Sequence, residues 1–300
     1  MSGSRNRSYI LVTPVHNEAT HLEQVIVSVQ EQTLHPVLWI AVDDGSTDES
    51  LAILEAAQDR LSWLTVLRFD HSEYTRHLRY AAVCRTGFDH AIATLKARGC
   101  NWEYVGLLDS DILAPPEYFL SLVELMEADS RIGIASGGLL SVINSRLLRS
   151  RARTDWPMGA ARLWRRQCFR ETGGYDLTPS PDSVSNVRAL KHGCQLRRVE
   201  SIAAIQVRPV GAASGMWHGH VSAGQRAHFL GRHFALVFLG GMDMCRERPY
   251  YHGVAYIWGF VGAKLRRQAQ TEDVMVRNYF GRERPRDWAV DFFRALLRRR

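Results

Sequence analysis

Short β-branched apolar runs alternate with helix-period segments through the first half of the chain, and this alternation restricts the fold more than any other feature. Ser8 to Thr13 (SYILVT) and Val37 to Val42 (VLWIAV) are nearly continuous apolar stretches, the pattern of strands covered on both faces. Between them, His21 to Gln32 sets Leu22, Val25, Ile26 and Val29 at helical spacing, with Thr20 as the expected cap. A second helix is expected over Thr47 to Arg60, a third strand over Leu61 to Phe69, a long helix over Thr75 to Arg98 and a buried strand over Tyr104 to Leu108. Strands and helices in this order wind into a mostly parallel sheet through right-handed crossovers.

Beyond Arg131 the alternation loosens. Ile132 to Ala135, Gln195 to Val199 and Ile202 to Val210 read as strands, and Asp182 to His192 as a helix. After Gly211 to Gly215 only helices are expected, near Ala223 to Gly240, Tyr250 to Arg267, Thr271 to Phe280 and Arg286 to Arg299. The expected organisation is therefore an α/β domain over 1–212 followed by a helical extension over 213–300. A chain of 300 residues, 46% hydrophobic and 23% charged, has ample material for a buried core. Its five cysteines are widely spaced with no C-x-x-C pair, which argues against a disulfide framework or a structural zinc and for a reducing cytoplasm. The start MSGSRNRSYILVTP lacks the apolar core of a signal peptide. The longest apolar stretches, Phe234 to Met242 and Gly253 to Ala263, fall short of the roughly 20 residues a bilayer span needs.

Ligands of parallel α/β sheets bind where loops leave the carboxyl ends of the strands. Three polar clusters sit at such positions: Thr13-Pro14-Val15-His16-Asn17-Glu18, Asp43-Asp44-Gly45-Ser46-Thr47-Asp48 and Asp109-Ser110-Asp111. Taken singly, each has a plain explanation: Ser46 or Thr47 caps a helix, Asp-Gly makes a turn, and Pro14 ends a strand. Taken together and in order, they crowd carboxylates into one crevice, which is costly without a cation or a donor-rich ligand. Asp-x-Asp offers hard oxygen donors suited to Mg2+ or Mn2+, with coordination positions left for diphosphate oxygens.

With these residues in view, a resemblance emerges. PVHNE at 14–18, VDDGSTDES at 42–50, LLDSD at 107–111 and GAARLWRRQCFRETGGYD at 159–176 resemble the signature segments of family 2 glycosyltransferases with the GT-A fold. The likeness covers about the first 200 residues. It implies a Rossmann-like sheet flanked by helices, and transfer of a sugar from a nucleoside diphosphate sugar to a hydroxyl acceptor with inversion. UDP-sugar is the first expected donor and GDP-sugar the second, because a carboxylate accepts equally from the imide of uracil or the amide edge of guanine. By the same resemblance Thr13, Pro14, Val15 and Glu18 line the nucleoside pocket, Asp43 or Asp44 reads the base, Asp109 lies near the ribose or donor sugar, and Asp111, with Asp109, ligates the metal. Asp182 is the expected general base, following Pro181 where the family carries Glu, with Asp176 in reserve. Gly159, Trp164, Arg165 and Arg166 are expected at the phosphate or acceptor, the two arginines as forked donors. His218, in Trp217-His218-Gly219-His220, is a further expected metal or diphosphate contact. Arg85 departs from the family, which often carries Asn there. Gln225 to Phe229 (QRAHF) departs from the Gln-x-x-Arg-Trp of processive polysaccharide synthases, so single-sugar addition to a cell-surface glycan precursor or lipid-linked acceptor is expected.

The formal net charge of +7 is unevenly placed. Eight Arg stand against Asp155 alone from Ser145 to Arg170, and 11 Lys and Arg against five Asp and Glu from Lys264 to Arg300. Beside the aromatic-rich stretch from Phe229 to Phe260, the second surplus suits peripheral contact with the inner face of a membrane, or helices that pack on the catalytic domain or a second subunit. Two competing classes fit less well. A sugar-phosphate nucleotidyltransferase needs a Gly-rich first loop with a basic residue, which PVHNE lacks, and no nucleic-acid-binding motif is present.

Overall fold

The computed structural model describes residues 6–69, 78–143, 146–149, 153, 155–208, 215–246 and 249–288. Two compact units make up the chain, Met1–Pro209 and Val210–Arg300.

The first unit is built on a nine-stranded sheet: β1 (Tyr9–Val15), β2 (Leu38–Asp43), β3 (Leu64–Arg68), β4 (Tyr104–Leu108), β5 (Ile112–Leu113), β6 (Ile132–Ile143), β7 (Arg146–Arg149), β8 (Ala161–Arg165) and β9 (Gln195–Gln206). The strand order is β3-β2-β1-β4-β8-β6-β9-β5, with β7 paired to β6. β3, β2, β1 and β4 are parallel neighbours, β8 is antiparallel to both β4 and β6, and β9 returns parallel to β6. Helices α1 (Ala19–Gln30), α2 (Ser50–Arg60), α3 (Arg79–Ala97), α4 (Tyr118–Ala128), α5 (Arg166–Glu171) and α6 (Pro181–Lys191) complete the unit.

Every residue of β1, β2 and β4 is buried, as continuous apolar runs require, and successive residues serve opposite faces. Tyr9, Leu11, Val15, Trp39 and Ala41 pack with Leu22, Val25, Ile26 and Val29 of α1. Ile10, Val12, Ile40 and Val42 pack with Cys84, Phe88 and Ala91 of α3. The α3 backbone lies directly on the strands at Gly87, where a Cβ would come within 2.6 Å of Val12 and 3.0 Å of Val42.

Several expected boundaries shift, each for a local reason. Thr20 falls inside α1 and does not cap it. The caps come from the neighbouring loop: Glu18 N–H donates to Ser50 Oγ at 2.8 Å and Ala19 N–H to Asp48 Oδ2 at 3.0 Å. α2 begins at Ser50 instead of Thr47, with Asp48 Oδ1 accepting from Ser50 N–H, so neither Ser46 nor Thr47 is the cap. β1 runs through Pro14, which sits beyond the last β4 pair at Val12 and so leaves no ladder bond on that side unmade. The two strands expected at 195–199 and 202–210 are halves of β9, interrupted by a register shift where Gly137 and Gly138 of β6 face Val199 and Ala203. β6 runs well past Ala135 for the same reason.

The second unit comprises α7 (Met216–Phe229), α8 (Phe234–Met244), α9 (His252–Leu265), α10 (Val274–Asn278) and a π-helical turn at Tyr279–Glu283. The single helix expected over 223–240 is two, broken after Leu230 by Gly231 at a φ of 70°. Most of the helix expected over 286–299 lies outside the described residues. Among the described residues no helix is long and apolar enough to cross a membrane.

Candidate active site at the carboxyl edge of the sheet

The loops after β1 and β2 are stitched to each other before any ligand is considered. Asp44 N–H donates to Val15 O at 2.8 Å, and the His16 ring nitrogen Nδ1 lies 2.8 Å from Asp44 O. Asn17, in the left-handed region at a φ of 55°, accepts at Oδ1 from Thr47 N–H at 2.7 Å, while its own N–H reaches Ser46 Oγ. Asp43 turns both carboxylate oxygens toward Ser46 N–H at 3.3 Å. Arg79 at the start of α3 holds Asp44, with Nε 2.7 Å from the carboxylate and an Nη2 bond to its carbonyl. Thr13 differs from the expectation that it faces the nucleoside: it is fully buried and its hydroxyl accepts from Trp39 Nε1 at 2.9 Å.

Glu18 and Asp111 meet across the edge through Arg208, just past β9. Arg208 Nη1 lies 2.6 Å from Glu18 Oε1 and its Nε 3.6 Å from Asp111 Oδ2. Gln206 Nε2 also donates to Asp111 Oδ2, at 3.1 Å. Both carboxylates are buried. Burial pushes Glu18 up to about 7 against the opposing pull of Arg208, and the charges of Asp111 and Asp48 add to the rise.

Asp109 follows β4 and is fixed at its backbone by Ala160 O, 2.8 Å from its N–H. Burial, then the charge of Asp111, raises its carboxyl to about 8, although the Tyr80 hydroxyl donates to Oδ1 at 2.7 Å. Asp182, in the first turn of α6, also raises it by its charge. Asp182 Oδ1 accepts from the Tyr175 hydroxyl at 3.1 Å and lies 3.7 Å from Arg162 Nη2. Arg162 is fully buried on β8, its guanidinium bound to Met158 O, Pro157 O and Asn186 Oδ1. Gly159 passes so near Asp182 that a Cβ there would stand 2.6 Å from its Cγ.

The structure thus brings Glu18, Asp43, Asp44, Asp109, Asp111, Gly159 and Asp182 to the strand ends, and it places others elsewhere. β8 runs antiparallel to β4 with Arg165 opposite Tyr104, so Arg165 and Arg166 lie at the far edge of the sheet. There Arg165 donates to Ile132 O and Met126 O, and Arg166 to Trp102 O, with their guanidiniums over Tyr104 and Trp102. Committed to main-chain carbonyls, they do not meet the three loops. Trp164 is a core residue donating to Ser185 Oγ. Asp176 is tied to Arg188 at 2.6 Å. His218 belongs to α7 of the second unit. Arg208, Tyr80, Tyr175 and Arg162 were not anticipated; Arg208 lies far along the chain from both Glu18 and Asp111, the carboxylates it joins, and no local pattern marks it.

Asp109 and Asp111 have the donor chemistry of a hard divalent cation, and the raised Asp109 is a carboxyl short of neighbouring positive charge, so the residues present fit such an ion. Among the described residues no three His, Cys, Asp or Glu side chains converge to hold a metal by themselves. A cation held by these two carboxylates would need further ligands from a bound molecule or water.

These carboxyls give the apo protein a pH signature. A carboxyl whose folded-state value is raised binds more protons folded than unfolded; its stabilising contribution is complete below its ordinary value and is lost as pH rises through the folded value. For Glu18 the window runs from 4.5 to about 7, and for Asp109 from 3.8 to about 8. The metal-free melting temperature is expected to fall across this range, and Glu18→Gln to flatten the fall below about pH 7. Differential scanning calorimetry from pH 5 upward checks this, and identical profiles for the two proteins would contradict it.

The sequence profile of glycosyl transferase family 2 matches residues 10–182, more than half of the chain. Among curated relatives, the undecaprenyl-phosphate 4-deoxy-4-formamido-L-arabinose transferases of Pseudomonas syringae pv. syringae and Sodalis glossinidius are each 32% identical, over 120 and 122 residues. These matches cover 39% and 40% of this chain and 32% and 33% of the relatives, so the chain spans about a third of the length of the curated relatives it matches. The solved mannosyltransferase from Pyrobaculum calidifontis, in complex with GDP-Man and Mn2+, superposes with a TM-score of 0.54 at 17% identity, covering 88% of this chain and 74% of that one. S. aureus TarS 1-349, in complex with UDP-GlcNAc, gives a TM-score of 0.54 at 14% identity over 88% and 93% of the two chains. At such identities the likeness shows a shared fold, the GT-A arrangement of a mostly parallel sheet flanked by helices.

Proposed function

The chain belongs to glycosyl transferase family 2, and from that premise we propose that it transfers one sugar from a nucleoside diphosphate sugar to an acceptor hydroxyl, by a single inverting displacement at the carboxyl edge of its sheet. The observation that carries this reading is the convergence of Asp109, Asp111 and Asp182 on that edge, beside the hydrogen-bonded loops that follow β1 and β2. Glu18, Asp43 and Asp44 line the nucleoside pocket, with the main chain of Pro14 and Val15, whose side chains are buried, beneath them. Asp109 and Asp111 hold a Mg2+ or Mn2+ ion, which when bound supplies positive charge against the departing diphosphate. Arg208, partly exposed beside Glu18, adds a guanidinium on the same side.

Asp182 is the general base. Its side chain is about one-third exposed, open to an acceptor, while Tyr175 and Arg162 hold one oxygen in place. As the acceptor oxygen attacks the anomeric carbon, Asp182 takes the hydroxyl proton and the bond to the diphosphate breaks on the opposite face. Gly159 leaves the room this carboxylate occupies. Gly159→Ala is expected to displace it and cut kcat by about 10²-fold or more, with donor affinity unchanged. Steady-state kinetics beside donor calorimetry checks this, and normal turnover would contradict it.

The donor is a UDP-sugar or a GDP-sugar; the two structural relatives, bound to GDP-Man and UDP-GlcNAc, support a nucleotide of this kind. The undecaprenyl-phosphate named in the curated relatives supports an acceptor carried on a lipid and used at the cytoplasmic face of a membrane, the attacking hydroxyl lying on the group that lipid carries. A panel of nucleoside diphosphate sugars with Mn2+, read by thermal shift, tests the reading. One donor is expected to raise the melting temperature in a Mn2+-dependent way, and no shift with any would contradict it.

A further inference from the structure

The outer faces of α8 and α9 are apolar and solvent-exposed. Phe234, Phe238 and Met242 follow at helical spacing along α8 and are 48%, 46% and 51% exposed. On α9, Val254, Trp258 and Leu265 fall on one stripe at 54%, 66% and 78%. Exposing side chains of this size in rows on two neighbouring helices is unusual for a surface that meets only water.

The helices cannot roll to hide these rows, because their inner faces are locked backbone to backbone. A Cβ on Gly241 of α8 would come within 2.6 Å of Ile257, one on Gly253 of α9 would enter the Gly241 carbonyl, and one on Gly259 would enter the Val221 carbonyl of α7. Tyr256 and Phe260 fill the remaining interior with Val237 and Ala227. The apolar stripes are thus a preformed outer surface.

Charge identifies what meets it. Leu265, the most exposed of these residues, sits among Lys264, Arg266 and Arg267, all exposed and none in an ion pair among the described residues. Residues 210–300 carry 15 Lys and Arg against seven Asp and Glu, while the whole chain carries 38 against 31, so the net positive charge of the protein belongs to this unit. A second copy on the same surface would bring these cations face to face. A partner both apolar and negatively charged at its boundary satisfies both features, and that is the headgroup boundary of an anionic bilayer. Helices of 11 and 14 residues suit lying in that plane, and none of the described helices is long and apolar enough to cross it.

We propose that the outer face of α8 and α9 is a docking surface for anionic lipid bilayers, in which Phe238, Trp258 and Leu265 enter the headgroup layer while Lys264, Arg266 and Arg267 meet lipid phosphates. The proposal stands on this unit alone and does not depend on the catalytic reading. The full chain is sedimented with vesicles of phosphatidylcholine, with or without phosphatidylglycerol. Anionic vesicles are expected to bind at least about tenfold more tightly, with binding weakened by salt. Trp258→Glu, and separately the pair Arg266→Glu with Arg267→Glu, are expected to lose at least about tenfold in binding at an unchanged melting temperature. Should Trp258→Glu fail to fold, quenching of the native protein's tryptophan fluorescence by brominated phosphatidylglycerol provides the second readout. Equal binding to neutral and anionic vesicles, full binding by folded Trp258→Glu, absence of quenching, or a dimer that Trp258→Glu dissociates without any vesicle binding would each overturn the proposal.

Discussion

Asp182→Asn is expected to lower kcat by about 10²–10⁴-fold, the usual worth of a general base, while the donor dissociation constant stays unchanged. Asparagine keeps the shape of the side chain and an oxygen to accept from Tyr175, and it removes only the ability to take a proton. Arg162 loses a partner 3.7 Å away but keeps its bonds to Met158 O, Pro157 O and Asn186, so the buried guanidinium stays satisfied and the fold survives. The variant therefore separates a base from a helix-terminal carboxylate: a capping role would appear in the melting temperature and spare kcat. Single-turnover kinetics at saturating donor is the measurement. Near-normal turnover would transfer the role to another group.

Asp111→Ala carries the second large effect, a loss of Mn2+-dependent donor affinity of at least about 100-fold, since Asp111 would be one of only two protein carboxylates holding an ion that would offset the diphosphate charge. The fold should tolerate the change well. Arg208 remains bound to Glu18 at 2.6 Å, and removing Asp111 takes away a charge that raises both Glu18 and Asp109. Calorimetric titration of the donor with Mn2+ and with EDTA reads this directly. Equal affinity for wild type and variant in Mn2+ would remove Asp111 from the metal site.

The part of the fold legible in the sequence is the part whose signals are local. β1, β2 and β4 are continuous buried runs, and α1 carries four apolar residues on one face, so each announces itself within a dozen residues. β9 was less legible because Glu200 and Ser201 at its register shift resemble a turn, and β6 because Gly137 and Gly138 look like strand breakers. The same division holds at the site. The acidic loops stand at strand ends and can be read from position alone. What holds them is long-range: Arg208 reaches back to Glu18 and Asp111, Tyr80 to Asp109, and buried Arg162 to Asp182. Arg165 and Arg166 show the opposite failure. Two adjacent arginines suggest a phosphate site, but the antiparallel direction of β8, invisible locally, carries them to the other edge of the sheet.

The most direct test is anomalous diffraction at the manganese edge from crystals grown with Mn2+ and a nucleoside diphosphate. A single strong peak is expected between the Asp109 and Asp111 carboxylates and the diphosphate oxygens, with the nucleoside between the β1 and β2 loops. A diphosphate bound elsewhere, or manganese absent from those two carboxylates, would contradict the account.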